Sequence, residues 1–185
     1  MRANSANPIF FFLLAITLLL HSSSSSSPYF LCNEASQKDP NFTADFCVSA
    51  LQPALANLAS ITVNDMLDAS LDIAASNASR IGSMVARILS QSDANSDEHH
   101  MGALRDCLSL YTSALSSIRV TREDLKVKDY FKANIDISSM MSSPVTCEGG
   151  FAEKKGEVSP LTKENDYFFH LTAMALTFVT MLDSK

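Results

Sequence analysis

Tryptophan is absent and glycine occurs only five times in 185 residues. So few glycines leave no Gly-rich phosphate cradle and no propeller-like repeat. Positive charge is also scarce: 14 Lys and Arg stand against 20 Asp and Glu, for a net charge of −6. A nucleic-acid face needs clustered Lys and Arg to displace counterions, so that class is excluded. There is no G-x-S-x-G nucleophile elbow and no C-x-x-C pair of the kind that binds zinc or cycles in redox chemistry. Beyond the N-terminal region no apolar run reaches the roughly twenty residues needed to cross a hydrocarbon core. The length suits one ordinary domain with a small appendage.

What is present begins with Arg2, the apolar run Ile9 to Leu20 and the serines Ser22 to Ser27. A positive charge, a short apolar stretch and a small-residue exit describe a secretory signal peptide over residues 1–27, with cleavage expected among Ser24 to Pro28. The released chain is then expected to be free of the membrane. All four cysteines, Cys32, Cys47, Cys107 and Cys147, follow that leader, an even number in an oxidising compartment. Four cysteines allow three pairings and the sequence alone does not choose. The spacings favour two local bridges, Cys32–Cys47 and Cys107–Cys147, worth about 3 and about 4 kcal/mol through loop closure. Two triplets, Asn41-Phe42-Thr43 and Asn77-Ala78-Ser79, are N-glycosylation acceptors and so predict exposed positions.

The remaining pattern is helical. Between Cys32 and Cys47, Asp39-Pro40-Asn41 divides two short helices; Pro40 stops the first and Thr43 caps the second, which continues past Pro53 as a kink. Thr62 to Asp65 forms a capping box. From it Val63, Leu67, Leu71, Ala74, Ala78, Ile81, Val85 and Ile88 recur at three and four residues, with Asp68, Asp72, Asn77 and Arg80 off the stripe. After a polar break at Ser90 to Asp97, Met101, Leu104, Leu108, Tyr111, Leu115, Ile118 and Leu125 form a second stripe. Thr121 to Asp124 can be read as a fresh capping box. If Cys107 faces Cys147 across an antiparallel pair, however, the reversal falls at Lys126 to Asp129. A return helix then runs from Tyr130 to Ser143, with Ile137, Met141 and Phe131 as core candidates, and Pro144 stops or bends it. Cys147 to Pro160 reads as the longest loop, and a last helix opens at Pro160 to Thr162. The expected fold is all-α: an antiparallel up-down-up-down four-helix bundle over 62–185, preceded by a disulfide-clamped helical hairpin over 28–61.

No constellation carries catalysis. His99 and His100 are adjacent, so they do not form an i,i+4 metal pair and read as solvated. Asp65, Asp68 and Asp72 share a helix face, but no partner acid on another element completes a glycosidase pair. Lys154-Lys155 reads as a solvated loop pair. No cofactor and no metal are expected.

The order of several short segments resembles the plant invertase and pectin methylesterase inhibitor family across residues 32–182. They are Cys32-Asn33-Glu34-Ala35 through Asn41-Phe42-Thr43-Ala44-Asp45-Phe46-Cys47, Ala103-Leu104-Arg105-Asp106-Cys107-Leu108, Thr146-Cys147-Glu148-Gly149-Gly150-Phe151 and Leu171-Thr172-Ala173-Met174-Ala175-Leu176. The tail from Glu153 to Asn165 is similar to the plane-tree pollen allergen type within it. The resemblance implies the same two disulfides and a secreted, non-catalytic protein of the apoplast or vacuole, with a monomer favoured. Its partner would be an acid invertase or a pectin methylesterase, the two nearly equal, whose active site it occludes. A secreted interaction protein of the same fold, without inhibitory activity, is the alternative. Where invertase inhibitors carry Pro-Lys-Phe, this chain has Asp129-Tyr130-Phe131, keeping only the aromatic end. These three residues are the candidate target contacts for an invertase; polar positions between Thr62 and Leu89 are those for a pectin methylesterase.

Overall fold

The structure is a computed structural model that describes residues 27–93 and 96–184; the leader, apart from Ser27, lies outside the described residues. Six helices follow one another: α1 Pro28–Lys38, α2 Ala44–Leu55, α3 Val63–Gln91, α4 Glu98–Lys126, α5 Tyr130–Ala152 and α6 Thr162–Asp183. Each of the four long helices packs on the next, and α6 closes the ring against α3. Asp72 near the start of α3 pairs with Arg122 near the end of α4, and Asn134 early in α5 reaches Thr180 late in α6. Successive helices are therefore antiparallel, and the expected bundle is present.

Local chemistry sets the helix starts. Ser27 accepts from the Phe30 amide and Thr43 from the Phe46 amide. At α3 the Thr62 hydroxyl accepts from the Asp65 amide at 3.3 Å, while Asp65 accepts from the Thr62 amide at 2.8 Å, a complete capping box. Asp97 caps α4 through the His100 amide, and Asp129 caps α5 through the Lys132 amide.

The core combines the α3 stripe from Val63 to Val85 with Leu104, Tyr111 and Ile118 of α4, Ile137, Met140 and Phe151 of α5, and Phe168, Leu171, Met174 and Phe178 of α6, all buried, while Ile88 at the end of that stripe is only partly so. Each large apolar side chain buried this way contributes about 1.5–3 kcal/mol. Tyr111 and Phe168 meet edge to face, with ring centroids 5.1 Å apart. The cysteines are bonded as Cys32–Cys47, which joins α1 to α2, and Cys107–Cys147, which joins α4 to α5. The α1–α2 hairpin lies against α6, where His170 bonds the Asn41 carbonyl and Thr177 reaches Asp39.

Several expectations are corrected. The return helix does not end at Ser143: α5 passes through Pro144 and Cys147 to Ala152, so the connection to α6 occupies only 153–161. A proline inside a helix costs about 3 kcal/mol through its missing donor. Here Pro144 is buried in the bundle, and the adjoining turn is bonded to α4 through Cys147, so tertiary packing offsets the local penalty. Gly149 and Gly150 are helical rather than loop residues; Gly150 faces α4, where a Cβ would lie 3.7 Å from the Ala103 Cβ, an ordinary van der Waals distance. Asn77 is not a surface residue but is 5% exposed, because its position on α3 falls beside Ala74, Ala78 and Ile81 at the edge of the buried arc. Phe131 is 73% exposed rather than core, since the inward positions at the start of α5 are Ala133 and, one turn on, Ile137.

Candidate functional site

The reversal between α4 and α5 forms one tip of the bundle. The amides of Val127 and Asp129 donate to the Asp124 carbonyl, at 3.2 and 2.9 Å, and Lys128 donates to Leu125 at 3.1 Å. Lys128 adopts a left-handed φ of 58°, the one positive φ outside glycine among the described residues. Asp129 then caps α5 and forms an ion pair with Lys132 at 2.9 Å. That hydrogen bond holds its carboxyl below the usual range and raises the Lys132 ammonium. The turn is thus closed on both sides by its own bonds.

The three sequence candidates separate in role. Asp129 is spent on the cap, and Tyr130 is half-buried against the core. Phe131 alone projects, and the turn residue Val127, at 75%, is exposed with it. Ile135, one helical turn beyond Phe131, is also exposed. Sequence reasoning missed Val127 and Ile135; their signal was apolar residues placed off the core stripe.

Beside this tip, the start of α3 and the end of α4 bound an open cleft of about 670 Å³ lined by Asn64, Leu67, Asp68, Arg119, Arg122 and Lys126, among others. Partial burial raises the Asp68 carboxyl; Arg122 opposes that shift, while Asp72 and Asp65 add to it. The acids of α3 therefore form an exposed face that is partly neutralised by α4.

The opposite end holds a second polar cluster. His99 Nδ1 lies 3.0 Å from one oxygen of Glu157 and His100 Nδ1 lies 2.6 Å from the other. The histidines are therefore half-buried and paired rather than solvated, because Glu157 in the α5–α6 connection sits between them. Burial alone would raise Glu157, but the two imidazole bonds and Lys154 leave its carboxyl lowered. Lys154 also pairs with Asp97, so it is bound rather than free in the loop. Asp97, His99 and Glu157 bring one possible metal donor each within 4.8 Å of one another, but the Lys154 ammonium already supplies positive charge there.

A family described as plant invertase/pectin methylesterase inhibitor matches residues 28–178. A Platanus acerifolia protein named "Putative invertase inhibitor" is 37% identical over 155 residues, 82% of each chain. Pectinesterase inhibitor 12 of Arabidopsis thaliana is 31% identical over 154 residues, 82% of this chain and 84% of that protein. Among solved structures, a pectin methylesterase inhibitor from Arabidopsis in mutant form A superposes with a TM-score of 0.66 at 20% identity, covering 80% of this chain and 96% of that one. At that identity the superposition speaks for the fold.

Proposed function

Because the chain belongs to the plant invertase/pectin methylesterase inhibitor family, whose members are inhibitors rather than enzymes, we propose that it is a secreted protein inhibitor of an acid invertase. It closes that enzyme's substrate cleft with the turn between α4 and α5. The observation that carries this reading is Phe131, 73% exposed on a turn locked by Asp124, Asp129 and Lys132. An aromatic side chain on a pre-ordered tip enters a cleft without the ordering cost of a flexible peptide. The leader and the two bonded cysteine pairs suit an exported chain. The Platanus relative's name supports invertase as the target class.

A second reading takes pectin methylesterase as the partner, met by the polar face of α3. It is favoured by the exposed acids of that helix and by the Arabidopsis pectinesterase inhibitor relative.

The test titrates the purified protein, and its Phe131→Ala variant, against both enzymes. Invertase inhibition should weaken roughly 30-fold in the variant, corresponding to about 2 kcal/mol for an aromatic anchor. Circular dichroism should be unchanged, since the side chain supports nothing in the core. Undiminished invertase inhibition by folded Phe131→Ala rules out the turn. Inhibition of pectin methylesterase alone selects the second reading, and inhibition of neither leaves the non-inhibitory interaction protein.

A further inference from the structure

We propose that the exported protein carries a single N-linked glycan, on Asn41, whose proximal sugar seats in the cleft between the α1–α2 turn and α6, and that Asn77 is unmodified. The inference rests on the export reading above. Both sites satisfy the acceptor triplet, but the fold treats them oppositely.

Asn41 is exposed in the turn, while the next residue, Phe42, is 4% exposed and anchors the turn from beneath. The bonds that hold Asn41 use its backbone: the amide donates to Asp39 Oδ1 at 2.9 Å and the carbonyl meets His170 Nδ1. Its side-chain amide is not part of that framework. Thr43 caps α2, so the triplet becomes rigid on folding without needing the Asn41 side chain.

The surface beside Asn41 also fits what would be attached. A cleft of about 350 Å³ is lined by Phe46, Tyr167, His170 and Asp166 together with the turn. Phe46 and Tyr167 meet at 5.6 Å, and Asp166 lies 3.4 Å from His170 Nε2. N-acetylglucosamine has a C–H face that packs on an aromatic ring, and an acetamide N–H and hydroxyls that donate to a carboxylate such as Asp166. Both kinds of partner stand next to the acceptor.

Asn77 lies in mid-α3, 5% exposed, with its Oδ1 buried and lacking a hydrogen-bond partner. A bulky, solvated glycan there would have to displace the side chains that leave Asn77 only 5% exposed. Transfer precedes folding, so the site is reachable in the nascent chain; a chain modified there would not close, and the secreted population would lack it. In the transfer itself, Asn41 Nδ2 forms a bond to C1 of an oligosaccharide carried on a lipid diphosphate. The bond from C1 to the phosphate oxygen breaks, the lipid diphosphate leaves, and the amide gives up one proton.

The test expresses the full chain in plant leaf, alongside the same chain with residues 1–26 replaced by an established cleavable leader. Secreted protein is mapped by glycopeptide mass spectrometry. One glycan at Asn41 is expected; Asn41→Gln should abolish the gel-mobility shift and Asn77→Gln should leave it intact. Modification only behind the replacement leader supports the site while rejecting the native leader. An unmodified Asn41 in both chains overturns the proposal, as does a glycan at Asn77 on folded protein. Hydrogen exchange at residues 166–170 should quicken after enzymatic deglycosylation; equal exchange overturns the cleft seat.

Discussion

The Tyr111 hydroxyl on α4 donates to Asn165 Oδ1 on α6, both inside the bundle. The same amide donates from Nδ2 to Cys147 Sγ at 3.3 Å and to Glu148 on α5. One asparagine therefore joins three helices at the Cys107–Cys147 bridge. Burial, followed by the charges of Glu148 and Glu164, raises the Tyr111 phenol far above its ordinary value, keeping it a neutral donor. Asn165→Leu should cost about 1–3 kcal/mol by orphaning that hydroxyl. Tyr111→Phe should cost a similar amount by orphaning Oδ1. The double variant should cost less than the sum, and urea unfolding of all four proteins measures the coupling. Strict additivity would mean that the two residues do not act as a pair.

The helical glycines give a prediction of opposite sign. Gly149 has open space around a prospective Cβ, and Gly150 would place one at ordinary van der Waals distance from Ala103. Neither has the positive φ that resists a side chain. Gly149→Ala and Gly150→Ala should therefore each stabilise by about 0.5–1 kcal/mol through helix propensity. Gly150→Leu, by contrast, should destabilise, because its branches would be driven into α4. Thermal melts of the three variants decide it; a destabilised Gly150→Ala would show that the contact with α4 has no slack.

Long periodic segments are legible in the sequence: the buried arc of α3 follows its stripe from Val63 to Val85, and its capping box is written in Thr62 and Asp65. The α4–α5 reversal is legible from the spacing of Cys107 and Cys147, which outweighs the capping box that Thr121 to Asp124 offers. What escaped depends on contacts remote in sequence. Pro144 looks like a stop until packing and the Cys147 bridge outweigh its missing donor. The pairing of His99 and His100 with Glu157 spans nearly sixty residues and leaves no periodic trace. At the candidate site the aromatic was legible as Tyr130-Phe131, but which of the two projects depends on the phase of α5 after its cap.

The two disulfides should fail differently. Removing Cys107 and Cys147 together as alanines releases the longer loop and should cost about 4 kcal/mol in the loop-closure account. For a chain of this size that is a fall of about 8–16 °C in Tm. The Cys32 and Cys47 pair should cost about 3 kcal/mol, and its loss should loosen α1 and α2 while the four long helices stay protected. Hydrogen exchange of both double variants checks this. Loss of protection throughout α3 to α6 in the Cys32/Cys47 variant would make the hairpin part of the cooperative core.

Acidity offers a test near the candidate turn. Asp136 on α5 has its carboxyl raised, first by burial and then by the charge of Asp124 on α4. One oxygen of Asp124 is itself buried without a hydrogen-bond partner. Lys132 and Asp129 also bear on this region; the Lys132 ammonium is raised by both acids, Asp129 and Asp124. Because the folded pKa of Asp136 lies above the unfolded value of about 3.9, its ionisation opposes folding. The penalty is fully present above the folded pKa and is relieved as pH falls through it towards the unfolded value. Asp97, Asp129 and Glu157 are lowered and so act in the opposite sense, losing their stabilisation as pH falls through their folded values. The total stability curve mixes both trends, but the difference between the wild-type chain and Asp136→Asn isolates one carboxyl. The variant should be the more stable at pH 7, with an advantage that holds above the raised folded pKa and shrinks once pH falls through it towards about 4. Denaturant midpoints across that range provide the measurement, and an advantage that is constant throughout or grows with acid would remove Asp136 as a carboxyl whose ionisation opposes folding.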